Sequence, residues 1–214
     1  MIGMAFAPAA ALSTEKNVGF LDLPPEIRNI IYQLVFKYDE PIEVSLMHSC
    51  IDYPSFGTAK TATQLLRVCR QVNGEAIPVF YGSNIFDVWN DATFHDFVNW
   101  IGSSAKHLRH LKLTFITNQS QLRSALHRLK QAKAFETFEW VCDRGQLDLL
   151  KNFVPWLKAL KKIRQAGGKT FDALDVLRFM VRKRVRSQRF DAELVKRAKK
   201  SDQEALATFQ ATLA

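Results

Sequence analysis

Few residues in this chain have the types and spacing that chemistry requires. Gly168-Lys169-Thr170 has the closing residues of a phosphate loop, in which backbone N–H groups and a lysine cradle phosphates. The opening glycine of such a loop would stand at 163, where the chain has Ile163, and no strand pattern precedes it. His107 and His110 have the spacing of two metal ligands on one helical turn. Their segment is entering a strand pattern, however, with no acidic or cysteine partner near, so a structural or solvent-facing role is expected. Cys69 sits on the apolar side of a helical pattern without an adjacent base, which fits a packed thiol better than a nucleophile. Asp39 and Glu40 are paired only in a loop-like stretch. No constellation supports catalysis, and neither a metal nor another cofactor is expected. The remaining chemical signal is cationic. Arg178, Arg182, Lys183, Arg184, Arg186 and Arg189 crowd one segment, with four of the arginines at i, i+4, i+8 and i+11. Such a stripe fits a solvated helix face, a nuclear import signal, or weak nonspecific contact with nucleic-acid phosphates. Little aromatic residue is interleaved, so base-specific readout is not supported.

The charge is uneven. The chain of 214 residues has a formal net charge of +9, yet residues 151–200 hold sixteen Lys/Arg against four Asp/Glu, and residues 1–150 hold fourteen against fifteen. A near-neutral body therefore precedes a basic segment. Hydrophobic residues make up 47% of the chain, with 16 Phe and 4 Trp, enough for a substantial core in one or two domains. Cys50, Cys69 and Cys142 are odd in number and widely spaced, which fits free thiols in a reducing compartment, cytoplasmic or nuclear. No apolar run approaches the ~18 residues of a membrane span. The Ala-rich start lacks a basic leader region and is expected to be a disordered lead-in.

Periodicity defines the elements that must position these residues. Pro24 and Pro25 suit a first helical turn, and Glu26 complements the positive end of its dipole. Ile27, Ile30, Ile31, Leu34 and Val35 follow on one apolar face. A second helix is expected with Thr63 as N-cap and Leu65, Leu66, Cys69 and Val72 on its buried side. Asn84 to Trp89 reads as a strand. Thr93 is expected to cap a helix through Phe94, Phe97, Val98 and Ile101, ended by Gly102. His110–Phe115 and Thr137–Cys142 alternate as strands, with Leu111, Leu113, Phe115, Phe138, Trp140 and Cys142 inward. Between them Ser120 is the expected cap of a helix burying Leu122, Ala125, Leu126 and Leu129. Phe86, Leu111 and Phe138 are 25 and 27 residues apart, a strand–helix unit at a period like that of leucine-rich repeats. An ordinary βαβαβ layer fits equally, and both require a small parallel sheet. A helix from Leu147 to Ile163 would cap the far end. After Gly167-Gly168 a last helix from Phe171 is expected, with Leu174, Leu177, Val181 and Val185 opposite the arginine stripe. Residues 190–214 read as weakly helical and frayed.

The order of residues in the first two helices goes beyond periodicity. Leu23-Pro24-Pro25-Glu26-Ile27-Arg28-Asn29-Ile30-Ile31-Tyr32 is followed by Leu65-Leu66-Arg67-Val68-Cys69-Arg70-Gln71-Val72-Asn73-Gly74-Glu75-Ala76, then by Pro78-Val79-Phe80-Tyr81-Gly82-Ser83-Asn84-Ile85-Phe86. This resembles the F-box, and most closely a fungal group of F-box-like proteins, over residues 20 to about 115. The resemblance implies a helical module docking on the Skp-type adaptor of a cullin–RING ubiquitin ligase, with an unknown protein substrate held by the rest of the chain. Carried onto this sequence, the adaptor contacts would be Leu23, Pro24, Ile27, Ile31, Leu66 and Val68. The chain departs from a compact F-box in the long connection Tyr38 to Lys60 and in lacking a Trp after the second helix. The other reading is a basic nuclear or nucleic-acid-associated module whose N-terminal helices are only core. The expected layout is an α/β chain: a lead-in over 1–19, F-box-like helices over 20–82, a βα region with a parallel sheet and capping helix over 83–166, and a basic helical segment over 167–214. Exposure of the Ile27–Leu34 face discriminates the two readings, because an exposed apolar face needs a partner.

Overall fold

The first element begins where the paired prolines predict it. Helix α1 spans Pro25–Phe36, with Pro24 as N-cap residue and Glu26 in the first turn. The computed structural model describes residues 18–46, 54–55, 64–142, 146–168, 170–181 and 192–213. The face that α1 buries is not its aliphatic one. Arg28, Tyr32 and Phe36, at i, i+4 and i+8, point into the protein. Ile27, Ile30 and Leu34 remain 43%, 54% and 79% exposed. The long-range partners explain the choice. Arg28 forks onto Glu75, and Tyr32 and Phe36 continue a run of ring contacts from Phe20 to Phe80 and Phe86. Large rings bury more area than isoleucines, and a bidentate ion pair fixes the rotation of the helix.

Gln64 and Leu65 are helical, as the pattern predicts, but the chain then turns, and helix α2 spans Arg70–Ser83. Cys69 is extended and acts as N-cap, its Sγ accepting from the Val72 amide at 3.5 Å. Leu65 is exposed, Leu66 and Cys69 are half-buried and Val72 is buried, so only the last of these four is core. Thr63, the expected cap, lies outside the described residues.

The strands are β1 (Ile42–Leu46), β2 (Pro54–Ser55), β3 (Ile85–Asn90), β4 (His110–Phe115), β5 (Thr137–Cys142) and β6 (Leu177–Val181). They form one sheet in the order β2-β1-β3-β4-β5-β6, parallel from β1 to β6, with β2 antiparallel on the edge. The crossovers carry α2, then α3 (Asp91–Ile101), then α4 (Gln119–Leu129), then α5 (Val154–Ala166) with the short α6 (Ala173–Val176). Each parallel strand is added beside the one before it, so crossovers of one hand return over one face of the sheet. Ring contacts identify that face. Phe86 touches Phe80 of α2 and Phe97 of α3, while Phe138 touches Phe94 of α3, Trp156 of α5 and Phe153, the N-cap residue of α5. Phe86, Leu111 and Phe138 are direct register partners, so the expected steps of 25 and 27 residues are real structural steps. Ile42 and Leu177 extend the same buried row at either end.

Buried polar side chains lock successive units. Asn84 donates to the carbonyls of Phe36 and Phe80 at 2.6 and 2.7 Å and accepts from the Tyr38 amide at 2.8 Å. Asp91 accepts from the Thr117 amide and hydroxyl and from the Asn118 amide. Asn152 accepts from Arg123 Nε at 2.7 Å and donates to the Leu149 carbonyl. Asn90 and Asn118 cap α3 and α4, in place of the expected Thr93 and Ser120, which lie further along the chain inside the first turns. Gly102 ends α3 at φ +53°, a left-handed conformation that suits glycine.

Two corrections concern the C-terminal region. The helix expected from Phe171 is confined to Ala173–Val176, and Leu177–Val181 is strand β6, pairing with β5 from Phe138↔Leu177 to Cys142↔Val181. The open edge of β5 offers unpaired N–H and C=O groups, and pairing there outweighs a helical spacing of leucines and valines. Arg178 therefore belongs to a strand and not to a helical arginine stripe. The terminal segment is not frayed: α7 (Ala192–Leu213) docks through buried Phe209, and Lys161 Nζ donates to the Leu213 carbonyl at 2.9 Å.

Candidate functional site

The N-terminal site is built on a polar clasp. Arg28 Nη2 and Nε donate to the two oxygens of Glu75 at 2.7 and 2.9 Å, and Tyr32 Oη donates to Glu75 Oε2 at 3.0 Å. Gln71 adds a bond to Glu75 Oε1 at 3.1 Å. Arg28 Nη1 also reaches the carbonyls of Leu21 and Leu23, which fixes the chain entering α1. Asn73 Nδ2 donates to the Leu66 carbonyl at 2.6 Å and fixes the chain entering α2. The donated bonds from Arg28 and then Gln71 hold the Glu75 carboxyl down at about 2. Burial, and then the Glu75 carboxylate, push the Tyr32 phenol up to about 12. The Glu75 bond raises Arg28 further above its already high value. Most of the polar motif residues are thus mortar for the helix pair, while its aliphatic residues face outward.

The structure places the six expected adaptor contacts on this helix pair and its entry segments. Pro24, Ile27 and Val68 are exposed, the last at 67%. Leu23, Ile31 and Leu66 are half-buried, and Leu66 also packs against the core. Ile30 and Leu34, with Leu21 and Leu65, add exposed apolar surface that the expected set omits. Within α1, Ile27, Ile30 and Leu34 at i, i+3 and i+7 make one outward stripe.

The second surface is the sheet face opposite the helices. Strand alternation puts Glu43, Asp87, Lys112, Glu139 and Arg178 in one register row across it. The next row toward the strand ends holds Ser45, Trp89, Thr114, Val141 and Met180. Lys112 Nζ lies 2.5 Å from Asp87 Oδ2. A groove of about 670 Å³ opens at the C-terminal ends of β1, β3 and β4. The charges were visible in the strand sequences, but only register aligns them into a row.

The other candidates separate. Arg178 is exposed on β6, and Arg182, Lys183, Arg184, Arg186 and Arg189 lie outside the described residues. Of the expected helical stripe only Arg178 is described, and it stands on a strand. His110 bonds Thr137 Oγ1 at 2.8 Å and sits 3.7 Å from Glu136, while burial lowers its pKa and that of His107. Gly167 and Gly168 close the C-terminus of α5, whereas a phosphate loop opens a helix. Among the described residues no group of three His, Cys, Asp or Glu is placed to hold a metal, and no helix is long and apolar enough to cross a membrane.

Fold and surfaces together define a mixed α/β protein with a five-strand parallel sheet, helices on one face and an outward apolar helix stripe at one end. No family model matches the chain, and no curated protein or solved structure matches it either.

Proposed function

We propose that this chain is a non-enzymatic F-box-like substrate receptor that docks on a Skp-type adaptor of a cullin–RING ubiquitin ligase. The single observation carrying the reading is the outward aliphatic stripe of α1. A helix whose buried side is held by Arg28, Tyr32 and Phe36, and whose isoleucines face water, has surface to spare for a partner. Pro24, Ile27 and Val68 would make the direct contacts, with Ile30 and Leu34 extending them. Leu23, Ile31 and Leu66 would support them from half-buried positions. The βα region, read as an irregular leucine-rich-repeat-like unit, would present a protein substrate. Its compartment on this reading is cytoplasmic or nuclear.

Co-purification of the full chain with a Skp-type adaptor tests the proposal. Ile27→Asp with Leu34→Asp should abolish the complex while leaving the fold intact, as should Leu23→Ala with Pro24→Ala. An adaptor complex that survives both changes in folded protein sinks the mapping.

A further inference from the structure

We propose that the groove at the C-terminal ends of β1, β3 and β4 binds an extended, lysine- or arginine-bearing segment of a partner protein. Calling that partner a substrate rests on the receptor reading above; the binding itself does not. Four observations on different residues converge there.

The first is charge. Glu43, Asp87 and Asp96 line the groove against a single cation, Lys112. Lys112 is spent on Asp87 at 2.5 Å. Asp96 has only the neighbouring His95 ring, at 3.0 Å, and Glu43 makes no ion pair among the described residues. Carboxylate charge is left over in a chain whose formal total is +9. Attraction for a cation is therefore local to this groove, and phosphate or carboxylate ligands are repelled from it.

The second is an aromatic platform. Trp89 lines the groove beside the carboxylates, 61% exposed, and its ring is propped by Phe115 at 4.7 Å. An exposed indole next to acidic groups suits a guanidinium or ammonium laid over its face.

The third is an unused hydrogen-bonding group. Thr114 lines the groove and is only 8% exposed. Its hydroxyl has no partner among the described residues, and it is not sealed into the core, so it opens into the groove. A hydroxyl open to the groove can donate to or accept from a backbone group of a segment laid there.

The fourth is shape. The volume of about 670 Å³ lies within the ordinary range of ligand sites, and the groove runs between the strand ends and the first turns of α3, where Ala92, Thr93 and Asp96 line it. A segment lying there meets Glu43, Asp87 and Trp89 in succession, which favours an extended chain over a helix.

Fluorescence anisotropy on the full chain, without adaptor, decides the matter. The probe is a short labelled peptide alternating Arg and Lys with Ser and Gly, compared with one carrying Glu at each cationic position. Saturable binding of the basic peptide alone is expected, weakening as NaCl rises from about 0.05 to about 0.5 M. Glu43→Gln with Asp96→Asn should weaken binding about tenfold, and Trp89→Ala about threefold to tenfold. Asp148→Asn, on the helix side, should have no effect. These carboxylate changes are isosteric and exposed, and circular dichroism would verify folding; Trp89→Leu replaces Trp89→Ala if the alanine variant unfolds. The proposal is overturned if the basic peptide shows no saturable binding, if the acidic peptide binds equally, or if the folded groove variants bind like the parent. The Ile27→Asp, Leu34→Asp variant should keep full peptide affinity, so loss of adaptor binding and loss of groove binding are separate results.

Discussion

Arg28 and Glu75 are 47 positions apart, and their pairing decides how the first helix is turned. Because the Glu75 carboxyl is held at about 2 in the folded chain, against an ordinary value of 4.5, it favours folding only while ionised. Its stabilising effect is complete above about pH 4.5 and is lost as pH falls from there toward about 2. Thermal unfolding followed across that range should show a steep acid limb. In Glu75→Gln the limb should flatten, and the melting temperature at neutral pH should drop. An unchanged limb in the variant would show that other carboxylates dominate acid unfolding. Asn84 belongs to the same scale. Asn84→Ala leaves two carbonyls and one amide without their side-chain partner, at a cost of about 1–3 kcal/mol for each group that water does not reach. Urea unfolding would measure the loss.

At the level of elements, the exposed and buried sides of α1 separate function from stability. Ile27→Asp and Leu34→Asp should each change unfolding free energy by no more than about 0.5 kcal/mol, since surface changes away from special features act weakly. Phe36→Ala, on the opposite side of the same helix, should cost about 3–5 kcal/mol, because Phe36 is fully buried between Tyr32 and Phe80. The contrast between two sides of one helix, read by denaturant melts, checks the rotation assigned to it. For α7 the anchor is Phe209. Phe209→Ala should raise amide exchange throughout α7 while exchange in β4 and β5 stays slow, since α7 meets the body through the 147–152 turn and α5.

Across the whole molecule, the parallel strands β1, β3, β4, β5 and β6 join the sheet in chain order, with β2 turned back onto the outer edge of β1. Each unit therefore contacts chiefly its neighbours, and order should be lost from the ends inward. Hydrogen exchange should find β2 and β6 least protected and β4 with β5 most protected. Uniform protection across all six strands would mean that the ends are bound into the core more tightly than this layout implies. One buried cluster runs from Tyr32 to Phe209, so the N-terminal helices share their core with the sheet. The groove with Trp89 and Thr114 forms where the strand ends of β1, β3 and β4 meet the start of α3.

Much of this was legible in local sequence. Alternation in His110–Phe115 and Thr137–Cys142, and the steps from Phe86 to Leu111 to Phe138, defined strands and their register, because a strand packed on one side must alternate and a repeated unit must match its neighbour. The paired prolines set the start of α1, and Gly102 the end of α3. Phe115 is only half-buried, since it lies at a strand end beyond the cover of the helices. Local pattern failed where a distant partner chose between alternatives. The stripe of Ile27, Ile30 and Leu34 and the stripe of Arg28, Tyr32 and Phe36 both run along α1, and periodicity favours the aliphatic one. Glu75 and the ring of Phe80 reverse that preference. Leu177–Val181 carries a helical spacing of apolar residues, yet the free edge of β5 draws it into the sheet. The amino-acid sequence by itself determined α1, α3, α4, the strands β3, β4 and β5 and their inward row, all set by neighbours a few residues apart, but not β1, β2 or β6. Tertiary structure alone decided which side of α1 faces water and which charges share a groove, because both depend on contacts between segments dozens of residues apart in the chain.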